Sequence, residues 1–211
     1  MKITRIGFCF VFSLIVCLLL GSCEYPMRVI GSIPDPQQSV TGFFDSVCKG
    51  DFKKADTYLG EVSIGMKEEP TDGFSKKLMQ YLNDSYSYEL AGKASTDKLT
   101  ATQDVNFTYL DFMLLADDLR AKSSQIGKQY VSEQNEAYTE LIDNATVLTD
   151  EGAELVAQEA LDSIMKKNPQ KYYATQTFHI EMKYQKKAWI IMIDNDLFEA
   201  ISGKFSSRQT D

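Results

Sequence analysis

Residues 99–110 read LTATQDVNFTYL. Leu99, Ala101, Val105, Phe107 and Tyr109 share one parity, and Thr100, Thr102, Asp104, Asn106 and Thr108 share the other. Successive side chains of a strand point to opposite faces, so this run predicts a β-strand with an apolar inner face and a wet outer one. The preceding run repeats the pattern more loosely, with Tyr86, Tyr88 and Leu90 alternating with Ser87 and Glu89. A turn near Thr96-Asp97-Lys98 joins the two as an antiparallel hairpin.

Working outward, period two returns near the C-terminus. Phe178, Ile180, Met182 and Tyr184 alternate with Thr177, His179, Glu181 and Lys183. A tight turn at Gln185-Lys186-Lys187 leads into Ala188–Ile193, a run apolar on both faces and therefore expected to be a central strand. Asp194 or Asn195 can cap a closing helix carrying Leu197, Phe198 and Ile201, ended by Gly203. Between the strand pairs, residues 111–167 revert to helical spacing. Phe112, Leu115, Leu119, Ile126, Tyr130, Ala137 and Leu141 form one stripe, with a break expected at Gly127. After a turn around Asn144–Asp150, Ala153, Val156, Ala157, Ala160 and Ile164 form a second. These predict an inserted helical hairpin, stopped by Asn168-Pro169.

Ahead of the first hairpin, Val40, Phe43, Phe44, Val47 and Cys48 follow the spacing of a buried helical face, with Ser39 as the expected N-cap. Gly50 can close that helix in a left-handed conformation and Asp51 can cap the next, which carries Phe52, Ala55 and Leu59. A third helix holds Phe74, Leu78, Tyr81 and Leu82. Helices segregated against an antiparallel sheet of about four strands give an α+β domain over residues 39–205, with a tail at 206–211.

The first 22 residues have the layout of a secretory signal: basic Lys2 and Arg5, then an uncharged run from Ile6 to Leu20, then small Gly21-Ser22. Fifteen residues fall short of the roughly 18 to 20 needed to cross a bilayer core. Leu20-Gly21-Ser22-Cys23 resembles the lipobox of bacterial lipoproteins. The resemblance implies that Cys23 carries a diacylglycerol thioether, becomes the mature N-terminus and holds the protein on the extracytoplasmic face of the cell membrane. Two acyl chains suffice for stable anchoring, at about 0.8 kcal/mol per buried methylene. Residues 23–38, with Pro26, Pro34 and Pro36, read as an extended tether.

The stretch SVTGFFDSVCKGDFKKADTYL resembles the first two helices of nuclear transport factor 2-like (cystatin-like roll) domains, in the branch found on lipoproteins of unknown function. The shared step is Lys49-Gly50-Asp51-Phe52, followed by Ala55. TFHIEMKYQKKAWIIMIDNDLFEAISG resembles the end of the same branch, and VNFTYLDFMLLADDL its central strand leading into inserted helices. The resemblance implies a curved sheet wrapped around helices, often with a conical pocket. That fold hosts isomerases, dehydratases, adaptors and plain binding modules, so it assigns no activity.

Removing 22 residues from 211 leaves 189, enough for one domain with a substantial core. All 30 acidic residues, but only 20 of the 22 basic ones, lie beyond the signal, so the mature chain carries about −10. Such a field disfavours nucleic acid and anionic lipid as partners. Of the four cysteines, Cys9 and Cys17 belong to the signal and Cys23 to the anchor, leaving Cys48 on an apolar helical stripe as an inert, buried thiol. One histidine, His179, and one thiol make no transition-metal set, and Asp117-Asp118 and Lys67-Glu68-Glu69 lack the spacing of a calcium loop. No glycine motif cradles a phosphate, and no cofactor or metal is expected. An isomerase or cyclase would need a carboxylate–tyrosine pair in an apolar pocket. Asp104 and Asp111, with Tyr58, Tyr86, Tyr88 and Tyr109, are the candidates by type. Asp104 falls on the wet parity and the tyrosines on packing positions, so no catalytic residue is assigned. Trp189, opening the most apolar strand, reads as core. The expectation is a binding or interaction domain whose partner is another protein or a second copy of the chain. The alternative is an isomerase-like enzyme or a binder of small apolar ligands in the conical pocket.

Replacing Cys23 by alanine should abolish membrane retention and labelling by radioactive palmitate while leaving the domain folded. Equal labelling of variant and parent would remove the lipid anchor from the account.

Overall fold

The computed structural model describes residues 33–66, 70–133, 136–142 and 145–203. The signal segment, Cys23, most of the tether, the Lys67-Glu68-Glu69 loop and the tail lie outside the described residues. The first helix, α1 (Pro36–Cys48), begins three residues before Ser39: Asp35 is its cap, accepting from the Gln37 N–H at 3.0 Å. Pro36 takes the first helical position, where its fixed φ is pre-set for a helix and its missing N–H costs nothing. The prediction for the next step is met. Gly50 is left-handed at φ 67°, and the Asp51 carboxylate accepts from the Lys54 N–H at 3.0 Å to start α2 (Phe52–Ala55). A single 3₁₀ turn (Asp56–Tyr58) and a loop lead to α3 (Gly73–Ser85).

Four antiparallel strands form one sheet in the order β1-β2-β5-β6: β1 (Ser87–Asp97), β2 (Thr100–Leu110), β5 (Tyr173–Gln185) and β6 (Ala188–Met192). Ala101, Val105, Phe107 and Tyr109 are buried on the inner face as expected, whereas Leu99 sits in the turn, 54% exposed. Gln103 also faces inward and is fully buried. Opposite it β1 bulges between Ala91 and Ser95, and the Gln103 amide donates to the carbonyls of Ala91, Gly92 and Asp104 at 3.3, 3.4 and 2.9 Å. A polar residue at an inward position is thus used to satisfy backbone oxygens that the bulge leaves off the ladder. β6 is an edge strand rather than the central one its double-faced apolarity implied. Trp189 and Ile191 point inward and are buried, while the outward Ile190 is half-covered by the loop at Gly60. On the same outward face Ala188 and Met192 stay exposed.

The segment between the strand pairs also differs from expectation. Helix α4 (Phe112–Ser132) passes through Gly127 without a break. The glycine is buried there because Leu148 lies over it, 3.2 Å from where a Cβ would stand. The chain then forms two short strands, β3 (Thr139–Ile142) and β4 (Ala145–Leu148), where helix had been expected as far as Leu141. Thr139, Ile142, Thr146 and Val147 are β-branched and favour extended backbone. Helix α5 (Asp150–Lys167) follows, capped by Thr149. A 3₁₀ turn (Pro169–Tyr172) enters β5, and α6 (Asn195–Ile201), capped by Asp194, closes the domain.

The core joins every layer. Val40, Phe43, Phe44 and Val47 of α1 pack with the inner faces of β2 and β5, and Leu115, Leu119, Ala160, Leu161 and Met165 of the insertion belong to the same cluster. Helix α5 is also tied sideways to α3. Glu154 accepts from the Gly73 N–H at 2.6 Å, and Asp162 takes Lys77 at 2.6 Å and the Tyr81 hydroxyl at 3.0 Å. Burial works to raise the Asp162 pKa, but the hydrogen bonds and charge of Lys77, with those of Tyr81 and Lys166, hold it below the usual carboxylate range. The two helices are therefore part of the domain's interior on one side and an outgrowth only at their far end.

Leu161 is fully buried, so Leu161→Ala should cost about 2–5 kcal/mol in denaturant unfolding. A change within about 0.5 kcal/mol, the size typical of surface positions, would show that α5 is an appendage.

Candidate functional site

The inner face of the sheet, where a conical pocket was expected, is filled by rings. Phe107 lies 5.3 Å from Phe44, 5.4 Å from Tyr86, 5.9 Å from Tyr109 and 6.3 Å from Phe178, between ring centroids. Phe43 sits edge-on to Phe44 at 5.1 Å, and Trp189 packs against Tyr184 at 5.3 Å, a core position as expected. The Tyr86 hydroxyl donates to the Ile201 carbonyl, and burial pushes its pKa far up. The Tyr88 hydroxyl donates to Asp45 at 2.7 Å; burial, then that carboxylate, pushes its pKa up to about 12. Tyr58 lies against Gly42, and its ring occupies the space a Cβ there would need.

The candidate carboxylates are drawn into other work. Asp111 is buried and caps α4, accepting from the Met113 N–H at 2.9 Å. Asp104 lies on the outer face, half-exposed, 2.7 Å from His179 Nδ1. The sequence puts both residues on wet parities; what it lacks is the register that sets Asp104 opposite His179. The same ladder pairs Asn106 with Thr177 at 2.7 Å and Thr108 with Thr175 at 2.8 Å. Cys48 is half-buried rather than fully buried. Among the described residues no group of three His, Cys, Asp or Glu is placed to hold a metal, and no helix is long and apolar enough to cross a membrane.

Open space lies instead on the insertion. A cavity of about 450 Å³ opens between α4, α5 and the 3₁₀ turn, and its polar lining includes Asp118, Lys122, Gln125, Lys167 and Lys171. Asp118 is bonded to the Lys171 ammonium and accepts from the Tyr172 hydroxyl at 2.7 Å. These hydrogen bonds, Lys171 first, hold its carboxyl below the usual range. Its neighbour Asp117 pairs with exposed Arg120 at 3.5 Å. The cleft requires the 3₁₀ turn to fold back on α4, which no single stretch of sequence encodes.

At the other end of the insertion stands the β3–β4 hairpin. Its two ends meet: the Thr149 N–H donates to the Tyr138 carbonyl at 3.0 Å, and Gly152 leaves room for that carbonyl. β4 rests on α4 through Leu148. Leu141 and Ile142 of β3, two adjacent apolar side chains, are 70% and 49% exposed. Along the chain, from Gln129 to Met165, there are nine Asp or Glu and no Lys, Arg or His.

No family model matches the chain, and no curated protein matches it. Among solved structures it is similar to one described as a "putative lipoprotein (ycdA)" from Bacillus subtilis, with 19% identity and a TM-score of 0.38. The match covers 78% of this chain and 46% of that one, less than half of that protein's length. A likeness of this size assigns neither a shared fold nor a role.

Burial first, then the Asp45 charge, raises the Cys48 pKa to about 11, Lys49 opposing. Only the thiolate attacks, so a maleimide or disulfide reagent should modify the native protein slowly at pH 8 and progressively faster as pH approaches 11. Modification at pH 8 as fast as in the unfolded chain would overturn this.

Proposed function

We propose that this chain is a lipid-anchored, extracytoplasmic binding module of the nuclear transport factor 2-like type, held at the cell membrane through Cys23 and recognising a protein partner with the far end of its insertion. The anchor rests on the signal layout and the Leu20–Cys23 lipobox. The family assignment is supported by the order of elements, three helices, a long strand hairpin, an insertion, two strands and a short helix, with the sheet order β1-β2-β5-β6. The observation that carries the binding reading is the filled inner face. With Phe44, Phe107, Tyr109, Phe178 and Trp189 packed to near-zero exposure, the position where this type of fold would take a small substrate is consumed by core. The two carboxylates that could serve acid–base chemistry are a helix cap and an outer-face partner of His179. An isomerase or cyclase would need one of them in an apolar cavity.

A second reading is favoured by the cleft on α4 and α5, where Lys122, Lys167 and Lys171 outnumber Asp118. With Lys171 bonded to Asp118, Lys122 and Lys167 beside a cavity of about 450 Å³ leave an excess of positive charge that suits a small anion.

The closed ends at Tyr138 and Thr149 make the decisive variant simple. Replacing residues 139–148 by a short Gly-Ser link should leave cooperative melting of the anchored protein intact and remove a partner recovered by cross-linking on intact cells. Retention of the same partner, or a turnover activity lost in Asp104→Asn or Asp111→Asn, would contradict the reading.

A further inference from the structure

The binding reading leaves open what the insertion recognises, and the exposed hairpin narrows the choice. β3 has one strand neighbour, β4, and among the described residues the pair forms a sheet of two. β4 is the strand that lies on the helices, so β3 is the outer edge, and Glu140, Leu141 and Ile142 along it are all exposed. In this register Leu141 turns its N–H and C=O away from β4, a template for another extended chain. A two-stranded hairpin is marginal by itself and gains from a third strand. The apolar side chains are disposed for one. Leu141 shares a face with Thr139, Thr146 and Leu148, while Ile142 shares the other with Glu140, Ala145 and Val147. Both faces of an added strand would therefore find an apolar neighbour.

Charge selects among occupants. Beside this edge in the sequence lie Glu133, Glu136, Glu140, Asp150 and Glu151, in a segment without a single basic residue. A second copy of the chain would bring its own Glu140 and its own carboxylates against these, and like charges across paired strands are destabilising. An anionic lipid surface is repelled for the same reason. An extended peptide segment alternating basic with apolar residues meets every feature at once: main-chain donors and acceptors for the edge, apolar groups for Leu141 and Ile142, and cations for the rim. Resting on the binding-module reading above, we infer that β3 is a strand-addition site for an extended, basic and apolar segment of a protein partner.

The test uses the full lipidated chain in detergent micelles and a fluorescent peptide, Lys-Val-Lys-Val-Lys-Val-Thr, with Glu-Val-Glu-Val-Glu-Val-Thr as its charge-reversed control. Anisotropy should show the basic peptide binding at least about tenfold more tightly than the acidic one, with affinity falling as salt is raised, since exposed charges are screened. The double variant Glu136→Lys and Glu140→Lys should reverse that preference, and Leu141→Thr with Ile142→Thr should weaken both peptides without lowering the melting temperature. Because both sets of substitutions are at exposed positions, the melt separates a lost surface from a lost fold. Absence of binding by the basic peptide, or a preference unmoved by the charge reversal, overturns strand addition at β3 and leaves the binding module to be judged by its own hairpin replacement. Concentration-dependent dimerisation that disappears in the Leu141→Thr, Ile142→Thr variant would also overturn it, by making a second copy the occupant.

Discussion

Phe107 is the point on which the domain turns. Its ring stands in the middle of β2 and meets rings from α1 (Phe44), from β1's lead-in (Tyr86), from its own strand (Tyr109) and from β5 (Phe178). Each such pair adds about 0.5–1.5 kcal/mol beyond the area it buries. The cluster fixes how the first helix lies over the sheet, and through the Tyr86 hydroxyl on the Ile201 carbonyl it also fixes the closing helix. The same cluster decides what the inner face can do. Rings that stack to near-zero exposure leave that face to packing.

The insertion is shaped by a second constraint, the need to belong to the core at one end and to stand clear at the other. Leu115, Leu119, Leu161 and Met165 anchor its near half, and Asp162 and Glu154 lock α5 to α3. Beyond Gly127 the helices carry a small hairpin instead of more core. Lys122, Lys167 and Lys171 line the cleft near the sheet, while Glu133, Glu136 and Glu140 stand exposed towards the hairpin end.

Much of this was legible in the residues. Period two at Leu99–Tyr109 and Thr177–Tyr184 located the sheet because one face is buried and the other wet, the condition under which alternation is strict. Gly50-Asp51 located the first helix junction because a left-handed residue and a carboxylate cap leave local marks. The failures share a cause, dependence on partners distant in sequence. Ala137 and Leu141 fall at helical spacing, but the chain there is β-branched and packs against Gly127 and Gly152 through Leu148 and Tyr138. Ala188–Ile193 looks central because a loop covers Ile190, a contact no local pattern encodes. Gln103 breaks the alternation for the sake of a bulge in the neighbouring strand, and the Asp104–His179 pair exists only in the register of β2 with β5. The cleft required α4, α5 and the 3₁₀ turn to be brought together, and so left no trace in any single stretch.

One cooperative core includes the base of the insertion and leaves the β3 edge at its tip exposed. Native-state hydrogen exchange, read residue by residue, tests this directly because exchange reports the free energy of each opening. The amides of Phe107 in β2 and Leu161 in α5 should exchange together at the slowest rate, through global unfolding, while those of Glu140 to Ile142 exchange far faster by local opening. Exchange of α4 and α5 as a unit well ahead of the sheet, or protection of β3 equal to that of β2, would contradict the account.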